Sequence, residues 1–200
     1  MLALLNSYIL VFLNPVSIYE KQKENQVRPF SLWEGILLSW VVVLLHTLVA
    51  YILGEMFFQW SFLSKQLLSS FVNLSWIKAI TFFFLILSLL LFPLVRYLKS
   101  QIWIFLIRAL GKSPLELQPA EYDLRVKNIV TNSLSAYLFN LLPLGGEVLR
   151  FIYAFILLYV GLRKNLQMSR SRSLFILSVP YLVLFFLCIF PFFIFFVLMR

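Results

Sequence analysis

Residues 128–164 read NIVTNSLSAYLFNLLPLGGEVLRFIYAFILLYVGLRK, and the division of this stretch decides the architecture. From Asn128 to Gly146 it carries no Lys, Arg, Asp or Glu, yet it holds Asn128, Thr131, Asn132, Ser133, Ser135 and Asn140. From Val148 to Leu162 it is apolar but short, with Arg150 near its start. Between the two lies Pro143-Leu144-Gly145-Gly146-Glu147, a cluster of helix breakers that reads as a tight hairpin. The expectation is two modest membrane crossings, about 128–144 and 147–162, joined by that hairpin.

Three longer segments flank them. A helix needs about 20 mostly apolar residues to span the roughly 30 Å hydrocarbon layer. Gly35 to Leu53, Ala79 to Val95 with its extension back to Trp76, and Leu174 to Met199 meet that need without a Lys, Arg, Asp or Glu in the uncharged runs. The chain as a whole is 62% hydrophobic and 12% charged, with a mean hydropathy of +0.94, which excludes a soluble globular domain and a disordered chain. The expected fold is therefore all-α, a single polytopic membrane domain with five crossings at about 32–53, 76–96, 128–144, 147–162 and 174–199. Interfacial helices accompany them. Met1 to Leu13, ended by Asn14-Pro15, reads as a retained interfacial or re-entrant helix, with a signal anchor as the alternative. Glu55 to Ser75 mixes aromatic and polar residues and suits a helix lying in the outer interface. Gln101 to Ile107 is too short to cross, so the second helix is expected to extend inward to Gly111, followed by a long solvated loop, Lys112 to Lys127.

Charge placement tests the count, because cytoplasmic loops are enriched in Lys and Arg. The net charge of +9 does not mark a nucleic-acid protein, since the cations punctuate apolar runs. With five crossings, thirteen cations fall on one side and four on the other, with Lys65, Arg200, Lys78 and Arg150 as the minority. That places the N-terminus inside and the C-terminus outside, in a bacterial cytoplasmic membrane or, alternatively, an ER or Golgi membrane.

Few residues could carry chemistry. Asn128, Thr131, Asn132 and Ser135 follow helical spacing, and Asn132, Ala136 and Asn140 continue the stripe in steps of four. Such a face must meet other helices or a wet cavity, because unpaired amides are costly in hydrocarbon. His46 lies near mid-membrane in the first crossing, where an ionisable group marks either a buried hydrogen bond or a proton or ligand role. The expected arrangement packs Asn132 and Asn140 against a neutral His46. Glu147 and Arg150, three apart, read as an ion pair or helix cap, and Gly35 with Ser39 as a small-xxx-small packing step. No catalytic constellation, metal set or cofactor motif is read from the residues, and the single Cys188 supports neither a disulfide nor a Cys-based metal site.

The C-terminal half resembles the Yip1 domain. The resemblance rests on the polar third crossing, Leu142-Pro143-Leu144-Gly145, Tyr153 to Leu158, Tyr159-Val160-Gly161-Leu162-Arg163-Lys164, Met168-Ser169, Arg172-Ser173 and Pro180, with Asn14-Pro15 similar to that family's opening. It departs at Tyr153, where the family often has Trp, and at Ser173, where a small residue, usually Ala, follows a basic one. The resemblance implies an integral membrane protein without catalytic residues. Eukaryotic members are linked to Rab GTPases and vesicle traffic through a long cytosolic N-terminal region, and the seventeen residues Asn14 to Phe30 suit a minimal prokaryote-type member instead. The expected function is non-enzymatic: membrane organisation or partner assembly, with the bilayer, a protein partner or a second copy as its contacts and no nucleic acid. The alternative is a transporter or permease subunit using the polar stripe as a pathway.

Overall fold

The computed structural model describes residues 2–23, 26–60, 74–111, 117–142 and 145–198. Its regular elements are all helical, with no strand among the described residues. In chain order they are α1 (Leu2–Leu13), α2 (Ile18–Lys23), α3 (Leu32–Trp60), α4 (Leu74–Leu110), α5 (Pro119–Ser133), the 3-10 helix η1 (Leu134–Leu141), α6 (Gly146–Lys164) and α7 (Arg170–Leu198).

Local chemistry sets several of these boundaries. Ser31 and Glu34 form a capping box at the start of α3: Glu34 accepts the Ser31 N–H at 2.6 Å, and the Ser31 hydroxyl accepts the Glu34 N–H at 3.3 Å. Pro119 opens α5 at the position where a missing N–H costs nothing. Gly145 precedes α6 with φ of 76°, a conformation glycine adopts without penalty. Ser169 precedes α7, its hydroxyl accepting the Arg172 N–H at 3.4 Å.

Three helices, α3, α4 and α7, are long and apolar enough to cross a membrane, and the chain is in this coarse sense an all-helical membrane protein. The 37 residues of α4 reach about 55 Å, far beyond the hydrocarbon layer. It accordingly has two halves. The first runs beside α3, where the Trp40 indole donates to the Leu89 carbonyl at 2.9 Å, and leaves Phe82, Phe83 and Phe84 more than half exposed. The second, past Pro93, packs against α5 and buries Ile104 and Ile107. The helix thus continues past Val95 to Leu110, close to the extension to Gly111 that the sequence suggests.

The fold differs from the expected division in three places. The stretch 128–144 is not one uniform helix: α5 begins at Pro119 and tightens into η1 at Leu134. What was expected as a solvated loop from Lys112 to Lys127 is largely the first half of α5, because Asp123 pairs with Arg108 and with Lys127 at 2.9 Å and so holds the segment against α4; residues 112–116 lie outside the described set. The expected outer interfacial helix begins instead as a continuation of α3 to Trp60, and residues 61–73 lie outside the described set. The two remaining expected crossings are short, with 15 and 8 residues in α5 and η1 and 19 in α6. They gather around η1, which lies against α1, α3, α5 and α6.

Candidate functional site

The polar side chains of the bundle meet where α5 becomes η1. A 3-10 turn does not reproduce the i to i−4 bonding of an α-helix, so the carbonyl at the junction becomes available to other groups. The Leu134 carbonyl accepts the Tyr8 hydroxyl of α1 at 2.6 Å; the Ser39 hydroxyl of α3 lies 2.9 Å from that of Tyr8, 2.8 Å from the Gly35 carbonyl and 3.3 Å from the Leu134 carbonyl, the two acceptors open to its proton. Tyr8 and Ser39 are fully buried. Gly35, one turn before Ser39, permits the approach: a Cβ there would stand 3.0 Å from the Leu134 side chain and 3.3 Å from Thr131. The Gly35 and Ser39 pair therefore serves helix packing inside the chain.

The sequence-derived stripe is divided between two further groups. Asn132, 2% exposed, donates to Gln22 of α2 at 3.5 Å, and its carbonyl accepts the Ser135 hydroxyl at 2.9 Å. On the neighbouring helix Gly161 leaves room for α2 and α5, since a Cβ would lie 2.6 Å from the Tyr19 hydroxyl and 2.7 Å from Ile129. Asn140 instead donates to Glu147 at 3.2 Å, and Glu147 pairs with Arg150. Gly146, at the start of α6, lies so close to the Phe139 carbonyl that a Cβ would overlap it. Pro143 of the hairpin motif lies outside the described residues.

His46 does not join them. It is half-buried on α3, seven residues or about 10 Å beyond Ser39. The expected packing of Asn132 and Asn140 against His46 is therefore not formed: Thr131 and Leu134 lie beside Gly35, eleven residues before His46 on α3, and for Asn140 the helical pitch adds to the separation. A 3-10 helix advances 120° per residue against 100° for an α-helix, so the seven steps from Ser133 turn Asn140 about 140° away from the α-helical stripe. Asn128, before the junction, remains half-buried at the edge of the group.

Reasoning from sequence missed Tyr8, Tyr137, Arg96 and Lys99. Arg96 and Arg150 each hold a guanidinium carbon 4.7 Å from the centre of the Tyr137 ring, which puts the two cations within about 10 Å of each other. Beside them, between α4, α6 and α7, is a cavity of about 390 Å³. Nothing in the spacing of residues 96, 137 and 150 announces this meeting, because it depends on the level at which the hairpin tip stops. Among the described residues no group of three or more His, Cys, Asp or Glu side chains is placed to hold a metal ion.

Tyr153 ties α6 to the end of α1. Its hydroxyl donates to the Phe12 carbonyl in the last turn of α1, and its ring lies 5.1 Å from Phe12 and 5.3 Å from Phe139. Comparison with known proteins finds no family model, no curated protein and no solved structure that matches the chain.

Proposed function

We propose that the protein is a non-enzymatic integral membrane protein of Yip1-like type, which organises its membrane or assembles a partner through helix packing and lipid contact. The observation that carries this reading is where the polar groups of the bundle are used. Asn132, Ser135 and Asn140 are at most 2% exposed and bond to Gln22, to the Asn132 carbonyl and to Glu147. A pathway would need such groups to face water along a continuous route, and His46 is separate from them. Packing accounts for these bonds, and they favour it over a pathway.

In this reading α3, α4 and α7 cross completely, with the N-terminus inside, while the α5–η1–α6 hairpin rises only to the inner ends of those helices. Arg96 follows the uncharged run Ala79 to Val95 and so marks the inner boundary of α4. Arg150, at the hairpin tip, shares the Tyr137 ring with it, whereas five crossings would put the two arginines on opposite sides of roughly 30 Å of hydrocarbon. Charge placement agrees equally well. A hairpin that enters and returns leaves every other loop on its own side, and moving Arg150 inward makes the cation tally fourteen to three.

The test of packing against transport is Asn132→Cys in a Cys188→Ala background, exposed in vesicles to an aqueous thiol reagent. Resistance is the expected outcome, and ready modification under native conditions would favour the pathway.

A further inference from the structure

We propose that the cavity between α4, α6 and α7 is a binding site for an anionic amphiphile, a membrane lipid whose phosphate is held by Arg96, Lys99 and Arg150. This goes beyond the proposed function and requires only that the chain is in a membrane. At about 390 Å³ the cavity falls within the size range of small-ligand sites.

Its lining is divided by chemistry. Arg96, Lys99 and Arg150 supply three cations, and the neighbouring carboxylate, Glu147, is engaged by Arg150 and by the Asn140 amide. Arg96 Nε and the Tyr137 hydroxyl are both buried, and neither has a hydrogen-bond partner among the described residues. Buried donors of this kind ordinarily find a partner, and a phosphate oxygen is an acceptor suited to a guanidinium. The Arg150 guanidinium, like that of Arg96, lies 4.7 Å from the centre of the Tyr137 ring, so two cations share one tyrosine at the edge of the cavity.

The rest of the lining is largely apolar and includes Trp103, Phe155 and Leu158. Ile102, Phe151 and Leu184 line the cavity as well, and each is more than half exposed, so an apolar chain can leave sideways between helices. Cations beside an apolar exit match a molecule that carries its charge at one end. An inorganic phosphate would satisfy the cations but leave the apolar wall unused.

The experiment uses the full chain, delipidated in neutral detergent and titrated by native mass spectrometry with phosphatidylglycerol, phosphatidylcholine, glycerol phosphate and inorganic phosphate. Phosphatidylglycerol should bind at least tenfold more tightly than phosphatidylcholine. Arg96→Gln should abolish that preference and Arg96→Lys restore part of it, with the Tm of each variant showing that the bundle is intact. Ala154→Leu, which adds volume to the lining without changing charge, should reduce binding of the lipid. Equal affinity for glycerol phosphate and for the lipid would place a soluble phosphate in the site and overturn the amphiphile. Unchanged lipid preference in both Arg96→Gln and Ala154→Leu would overturn the site itself.

Discussion

Two regions of this protein handle apolar residues in opposite ways. In the far part of α3 and the first half of α4, Leu45, Leu48 and Phe83 are 50–62% exposed, and the Trp40 indole bonds α3 to the Leu89 carbonyl of α4. Where α5 becomes η1, by contrast, Ile36, Ile129 and Ala136 are fully buried, the Tyr8 and Ser39 hydroxyls meet at the Leu134 carbonyl, and Asn132 bonds to Gln22. The first region meets a solvent as apolar as itself, so side-chain identity there matters little beyond hydrophobicity. The second region must satisfy backbone and side-chain polar groups internally, so individual atoms matter.

The largest effect should come from Gly146→Ala, since the new Cβ would overlap the backbone carbonyl of Phe139, which cannot rotate away as a side chain would. A loss of about 1–3 kcal/mol is expected in detergent unfolding, the range for overpacking. An unchanged midpoint would mean that the hairpin is loosely held and the contrast between regions overstated. Tyr8→Phe comes next. It deletes the 2.6 Å hydrogen bond to the Leu134 carbonyl, at a cost of about 1 kcal/mol in the same measurement. Leu45→Phe, in the exposed region, should fall within about 0.5 kcal/mol of the parent. A cost as large as that of Tyr8→Phe would show that an unseen partner covers that face.

Acidification gives the smallest effect, because it touches a partly exposed group. Partial burial works to raise the Asp123 pKa, but the Lys127 hydrogen bond and the charges of Arg108 and Lys127 outweigh it and hold the carboxyl below the usual carboxylate range. A group depressed in this way stabilises the folded chain above its unfolded pKa of about 4, and the contribution is lost as pH falls through the folded value. The α4–α5 contact should therefore loosen only below about pH 4, seen as faster amide exchange in α5, and Asp123→Asn should remove that pH dependence.

Much of the first region was legible in the residues. Uncharged runs of about 20 residues identify α3, α4 and α7 by length alone, and Gln101 to Ile107, read as a continuation of the second helix, is part of α4. The ion pair of Glu147 with Arg150 was also legible from spacing. Two signals went unused: Ser31 and Glu34 spell the capping box, and Pro119 marks the start of α5. The placement of the stripe was not legible, because hydrophobic periodicity assumes a constant pitch and the change at Leu134 alters it. The five-crossing count could not be tested by charge at all, since a hairpin returns to its own side.

The level of the hairpin tip is the centre of the account, and cysteine labelling measures it directly. Val148, in the first turn of α6 and 63% exposed, would become the only thiol in a Val148→Cys, Cys188→Ala chain. Lys65→Cys and Arg170→Cys serve as markers for the two membrane sides. With a membrane-impermeant maleimide applied to vesicles of each orientation, Val148→Cys should be modified from the same side as Arg170→Cys. Modification only from the side that labels Lys65→Cys would contradict the account, place the tip across the bilayer and restore five crossings.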